Sequence, residues 1–337
     1  MTEQAEPTGR PATPQMPPAG SRPRLLSSEL APAALVFAAT AALILGLKLM
    51  IPGFGSLQQL TAIMVTAIFL VVASFGQGLV ILTGGIDLSI GTVMGIGGMI
   101  VANLTRGSDA ALLYALPIAL LCCAGVGVIN GLGVALARLP PFIMTLSSAT
   151  AFFGVALGMT AGSSQQSVAP ALQRFVAGHW AGVPLPILFI VVFALAAALF
   201  QNRSAAGRQI YAMGSNPRAA AIVGLPVAAL TVTVYGLSGL CSGVSGILLA
   251  GYSSSATLDM GAALLMPTIA AVVIGGARVT GGAGLYVGTL AGALFLSALS
   301  TAITALSFSQ GLRSVIQGAV IIVALLLQSR RADRTAS

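Results

Sequence analysis

The chain has 337 residues, of which 57% are hydrophobic and only 7% charged, with a formal net charge of +8. This balance leaves too little polar surface for a water-soluble globule, and the lack of strand alternation argues against a barrel, so the expected class is an all-α membrane protein. The 15 basic residues sit scattered at helix ends and in tails without an interleaved aromatic platform, a pattern of membrane topology and not of nucleic-acid binding.

In chain order, residues 1–30 open with MTEQAEPTGRPATPQMPPAGSRPR, a Pro-rich polar run that cannot bury enough apolar surface to order itself. It reads as a disordered cytoplasmic tail and not as a cleaved signal peptide, because the first apolar run starts late and is long enough to span. Ten apolar segments follow, at about 32–51, 60–82, 88–104, 111–137, 142–160, 185–201, 229–250, 265–278, 285–306 and 312–328. The expectation is a polytopic bundle of about ten membrane segments over 31–328, closed by a cytoplasmic tail at 329–337. The run 265–278 is short for a span and reads as broken or re-entrant.

With the N-terminus inside, ten passes leave Lys48, Arg106, Arg174 and Arg313 outside and the remaining eleven arginines inside, as the positive-inside rule requires. Cys122, Cys123 and Cys241 all fall in spans and show neither metal-ligand spacing nor a disulfide framework, so they read as small packing residues. His179 beside Trp180 has no partner cluster, and Trp180 suits a membrane-interface anchor.

Between the second and third segments stands TGGIDLSIGTV, from Thr83 to Val93. Gly84 and Gly85 suit a tight turn, after which Asp87 stands where the restarting helix needs an N-cap. The competing reading puts Asp87 and Ser89 on a substrate path or at a coupling ion, since acids inside membranes are rare and usually functional. No span centre supplies a Lys or Arg to pair with Asp87. Gln77 and Asn130, the other polar side chains deep in apolar runs, suit interhelical hydrogen bonding, with a pore-facing role as the alternative.

The motif recurs 197 residues later, where Thr280, Gly281 and Gly282 repeat Thr83, Gly84 and Gly85, and Gly284 replaces Asp87. The same offset lays 32–104 over 229–301, which reads as an internal duplication of the kind frequent in transporters. The longest internal polar break, 202–227, contains a short helix capped by Asn216, opened by Pro217 and ended by Gly224. There is no P-loop, HExxH or nucleophile-elbow motif, so the chain reads as no enzyme and as binding no cofactor or metal of its own.

The stretches ILTGGIDLSIGTVMGIGGMIVANL, GRQIYAMGSNPRAAAIVGLPV and IAAVVIGGARVTGGAGLYVGTLAGALF, in this order, resemble the permease subunits of bacterial ABC importers of the ribose and related-sugar type. The resemblance spans about 32–328 and implies a homodimeric inner-membrane permease for a monosaccharide, with both termini cytoplasmic. Relatives within that superfamily handle nucleosides or branched-chain amino acids, and an ion-coupled secondary transporter is the alternative from another class. The implied partners are a second permease copy, membrane lipid, a periplasmic binding protein and a cytoplasmic ATPase that carries the ATP and Mg.

In that family the polar inner loop docks on the ATPase, which assigns the role here to Gly207, Arg208, Tyr211, Ala212, Gly214, Asn216 and Gly224. Pro217 and Arg218 stand where relatives often carry an acid followed by Ala. The outer connections 161–184 and 251–264, with Arg174 and Asp259, are the surface expected to meet the binding protein.

Overall fold

A computed structural model describes residues 25–323 except 52, 165, 166, 310 and 321, with side chains from Leu30 onward. Residues 1–24 of the expected N-terminal tail and the whole of 329–337 lie outside the described residues. The helices are α1 (Leu25–Met50), α2 (Leu57–Leu82), α3 (Ile90–Thr105), α4 (Leu112–Ala135), α5 (Pro141–Thr160), α6 (Pro170–Ala177), α7 (Leu185–Arg203), α8 (Ala205–Ser215), α9 (Pro217–Ile222), α10 (Val227–Ser253), α11 (Ala262–Ile274) and α12 (Tyr286–Ala305). Residues 311–320 are helical as well. Two-residue strands β1 (His179–Trp180) and β2 (Val183–Pro184) form a small antiparallel ladder in the connection after α6.

Seven of these helices are long and apolar enough to cross a membrane, and α3 and α11 are shorter apolar helices. Each expected segment therefore has its helix, the last being described only in its first part. The helix α1 starts at Leu25, before the expected start at 32, so residues 25–30 belong to a helix and not to the tail.

The axis of the molecule is α2, buried almost continuously from Ala67 to Leu82 and packed against α10, α12, α11 and α7. Phe75 on this helix meets the rings of Tyr286 at 5.1 Å, Phe193 at 5.8 Å and Phe200 at 6.1 Å, mostly edge to face. Tyr286 spends its hydroxyl on the Val71 carbonyl at 3.1 Å, and Ser245 of α10 donates to the Phe69 carbonyl at 2.8 Å. These bonds keep buried polar atoms satisfied where no water competes.

The helix α10 packs on α2, α3 and α4 through a row of glycines. A side chain at Gly239 would collide with the Cys123 carbonyl of α4, and one at Gly246 with the Met94 carbonyl of α3. The backbones approach closely because nothing stands between them. Cys123 and Cys241 are packed in this interior, whereas Cys122 points outward, which corrects the reading of all three as packing residues.

The packing does not give the two expected copies equivalent surroundings. The helix α10 is enclosed by three helices, while α1 runs along α12 with Leu45 and Leu49 exposed. The neighbour pattern instead pairs α2–α4 with α10–α12: in each set a long central helix leads to a short helix, α3 or α11, and then to another span. The two glycine turns are alike locally, with positive φ at Gly84 (79°) and Gly281 (92°), but the helices around them follow a different correspondence from the 197-residue offset.

A large side chain at Gly246 has no room, so Gly246→Leu should destabilise the detergent-solubilised protein by roughly 1–3 kcal/mol or more. Gly125→Ala, on an α4 face with nothing within 4 Å, should instead raise stability by up to ~1 kcal/mol through helix propensity. Thermal unfolding of the two variants side by side checks the pair.

Candidate functional site

The last turn of α2 closes through a knot of backbone bonds. Thr83 and Gly85 both donate their amides to the Val80 carbonyl, Gly84 donates to Ile81, and the Thr83 hydroxyl adds a bond to Val80 at 2.7 Å. Gly84 takes the left-handed conformation that ends helices without a Cβ penalty. The chain then runs without regular structure to Ser89 before α3 begins at Ile90.

Asp87 lies three residues before the first helical residue of α3, so the cap position belongs to Ser89 and not to Asp87. Its carboxylate is 1% exposed and fully engaged. Oδ1 accepts from the Ser89 amide at 2.9 Å and the Ser89 hydroxyl at 2.6 Å, and Oδ2 accepts from the Ser238 hydroxyl of α10 at 2.7 Å. Asn130 of α4 donates from Nδ2 to the Ser89 oxygen at 2.9 Å. On the neighbouring strand of chain, Thr145 of α5 takes the Leu88 amide at 3.0 Å. One short turn is thus tied to three helices by hydroxyls and an amide.

Gln77 is buried on α2, and neither of its amide atoms has a partner among the described residues. The Tyr235 hydroxyl is likewise buried, close enough to Gly85 that a Cβ there would come within 2.5 Å of it. The structure therefore brings Asp87, Ser89 and Asn130 together and leaves Gln77 outside their hydrogen-bonded network. Ser238 was not legible beforehand, since nothing in a long apolar run marks which serine faces an acid.

The second glycine turn, 280–284, lies against the first. The Gly282 amide donates to the Leu82 carbonyl at 2.9 Å, and Gly281 faces the Gly84 nitrogen. The chain restarts as α12 at Tyr286 after Leu285, so Gly284 is not the cap either. Its carbonyl instead accepts from Tyr211 and, at 3.0 Å, from Gln201 Nε2, while Gln201 also donates to the Tyr211 oxygen at 2.7 Å.

Tyr211 belongs to α8, a helix absent from the sequence reading. Ser204 caps it by accepting the Gly207 amide at 2.9 Å, and Gly207 permits a close pass beneath the Gln201 carbonyl. At the other end Gly214 presses on the Leu82 carbonyl, and Gly282 lies against Ser215. The helix α9 follows as expected: Asn216 accepts the Ala219 amide at 3.0 Å, Pro217 opens the helix and Gly224, at φ 84°, follows its end. Ala212, Pro217 and Arg218 are exposed, as is Arg208, which donates to the Arg203 carbonyl at 2.9 Å. Ile222 and Val223 are 86% and 75% exposed, an apolar tip beyond what a solvated loop requires.

On the opposite face, Arg174 is paired with Asp109, a partner the sequence reading did not assign. Asp109 also accepts the Ala171 amide at 2.7 Å. The Ala171 bond first, and then the Arg174 guanidinium, hold the Asp109 carboxyl below its ordinary 3.8 against a desolvation push upward. Asp259 is exposed in the turn before α11. Two cavities open among the helices, of about 470 and 560 Å³, and none of Gln77, Asp87 or Asn130 lines them.

The sequence that builds this arrangement matches known proteins over most of its length. The family model described as branched-chain amino acid transport system / permease component matches residues 59–325. The chain belongs to this permease family. It is 34% identical over 77% of its length to the ribose import permease protein RbsC of Bacillus subtilis, covering 80% of that protein. It is 35% identical over 77% of its length to the galactofuranose transporter permease protein YtfT of Escherichia coli, covering 76%. The autoinducer 2 import system permease protein LsrD of Photorhabdus laumondii is 31% identical over 74% of this chain and 77% of its own. The permease is therefore a multi-pass membrane transport subunit.

Two predictions concern these polar contacts. Asp87→Asn keeps a carbonyl for Ser89 and an amide for the Ser238 oxygen, and should stay within about 1 kcal/mol of the parent, whereas Asp87→Leu strands buried partners and should lose roughly 3 kcal/mol. Unfolding of the purified variants, followed by size-exclusion, measures the difference. At the other face, a lowered Asp109 value means its tie to Ala171 is complete above the ordinary 3.8 and lost as pH falls through the lower folded value. Hydrogen exchange at the Ala171 amide should stay slow down to the ordinary carboxylate range and accelerate only below it, while Asp109→Asn should exchange fast already at neutral pH.

Proposed function

We propose that this permease carries a sugar, delivered by a periplasmic binding protein, across the bacterial inner membrane, driven by ATP hydrolysis on a separate cytoplasmic ATPase subunit. Ribose and galactofuranose in the names of its relatives support the substrate class. The bias of arginines toward one side supports an orientation with both termini and the α8–α9 loop in the cytoplasm. ATP and Mg then belong to the ATPase, and a second copy of the chain completes the pathway.

The observation that carries this reading is the seat of α8 on both glycine turns. Outward, the loop offers Arg208, Arg218 and the apolar tip Ile222–Val223 to a partner. Inward, Gly214 touches the ends of α2 and of the chain entering α12. A push on the exposed side is transmitted to two membrane segments at once, because backbone lies against backbone with no compliant side chain between. Coupling follows if nucleotide binding by the ATPase and docking of the loaded binding protein favour different arrangements of these segments. Asp87 contributes by fixing the first turn through hydroxyl donors, and among the described residues its partners include no basic group, which speaks against an ion relay.

Gly214→Val, which wedges a side chain between α8 and the Leu82 carbonyl, should leave the permease in the membrane but abolish substrate-stimulated ATP hydrolysis and uptake in proteoliposomes holding the ATPase and binding protein. Normal stimulation in that variant would remove the loop from the mechanism.

A further inference from the structure

We infer that the 560 Å³ cavity within a single subunit, between α2, α10, α11, α12 and the helix 311–320, is a holding station for a polyhydroxylated, uncharged ligand on its way across. The inference rests on the sugar-import reading and adds to it a place and a chemistry. The cavity runs from the face opposite the glycine turns and reaches Leu70 on α2 and Ser297 on α12. Its volume lies within the range of small-molecule sites.

Its wall is built to accept hydrogen bonds. The hydroxyl proton of Thr66 is spent on the Ala62 and Ile63 carbonyls, that of Ser297 on Ala293 at 2.8 Å, and that of Thr301 on Ser297 at 2.9 Å. Each oxygen keeps lone pairs with no donor of its own left to give. Pro267, also on the wall, has no N–H for the Ala263 carbonyl one turn earlier, which adds a further acceptor.

Against these acceptors stand the Gln317 amide and one cation. Arg313 donates from Nη2 to Thr304, while its buried Nε has no acceptor among the described residues. A buried guanidinium N–H without a partner is a demand for a ligand oxygen. Phosphate or carboxylate could meet that demand but would leave the Thr66, Ser297 and Thr301 oxygens without a donor. A sugar hydroxyl meets both requirements, since it accepts from Arg313 and donates to Thr66, Ser297 or Thr301.

Tyr252 extends this chemistry outward. It lines both this cavity and the 470 Å³ one beside it, where Gln58, Gln173 and His179 add polar edges. Its ring also pairs with Phe69 at 5.5 Å, giving an apolar plate for the carbon face of a pyranose or furanose. The two cavities share Ala62 and Tyr252 as lining residues, and between them they reach from the outer connection to α12.

The test uses the complete transporter, with its ATPase and binding protein, in proteoliposomes. Accumulation is first measured for a panel of D-ribose, D-xylose, D-galactose and D-glucose. In a Cys122→Ala background, Thr301→Cys, or Ser300→Cys should Thr301→Cys fail to assemble, is then modified by a cationic methanethiosulfonate reagent. The accumulated sugar at roughly twice its dissociation constant should slow this modification about three-fold, by occupancy, and should leave Met159→Cys on the exposed face of α5 unaffected. Accumulation with no protection, with equal protection at both positions, or with a thiol that the reagent cannot reach would overturn the holding station and leave the import reading standing. Failure to accumulate any of the four sugars would instead overturn the sugar reading and this inference with it.

Discussion

The contact on which the rest depends is backbone against backbone at the end of α2. Leu82 offers its carbonyl to the Gly282 amide while Gly214 of the loop helix presses on the same atom. Three segments far apart in sequence converge there, and each arrives with glycine because a Cβ would fill the space of the neighbouring peptide. Such a joint is stiff. Side chains can change rotamer to absorb a displacement, whereas opposed peptide groups either move together or separate. The loop helix is thereby held against two membrane segments at once, and the bonds from Tyr211 and Gln201 to the Gly284 carbonyl fasten the same helix at a second point.

The same economy governs the buried acid. In a medium without water, a carboxylate is tolerable only if both of its oxygens find donors, and an opposing charge is one way among several to provide them. Here the donors are two serine hydroxyls and a backbone amide, and Asn130 reaches the first of those hydroxyls in turn. The network ties the turn before α3 to α4 and α10, so the acid acts as a structural knot between helices that glycine rows elsewhere bring close without any directional bond. Packing sets how near the helices lie, and the knot sets their register.

Much of this was legible in the sequence, and the pattern of successes has a physical basis. Apolar runs announce spans because the bilayer fixes their length, and Asn216–Pro217 announced α9 because capping is decided within one turn of chain. What stayed hidden depends on distant pairing. Ser238 looks like any serine until α10 is laid beside the turn at Asp87, and Arg174 looks free until the loop carrying Asp109 comes alongside. The helix α8 was hidden differently: its cap Ser204 follows Arg203 directly at the end of α7, so two helices abut with no loop between them. The 197-residue offset was misleading for a related reason. Glycine turns recur wherever backbones must cross closely, so a shared turn testifies to a shared local constraint more than to equivalent surroundings.

The hydroxyl-lined cavity holds chemistry that composition alone does not reveal. Serine and threonine in membrane helices usually satisfy themselves on the carbonyl one turn back, and a sequence offers no reason to count them as ligand groups. That self-satisfaction determines what they can still do. A hydroxyl whose proton is committed becomes an acceptor of fixed direction, and several such oxygens on α2 and α12 make a surface selective for donors without carrying any charge. Selectivity of this sort is modest, as suits a subunit whose relatives are named for several different cargoes. Discrimination among sugars can then reside in a separate binding protein, while the membrane path asks only that the cargo be rich in hydroxyls and free of charge.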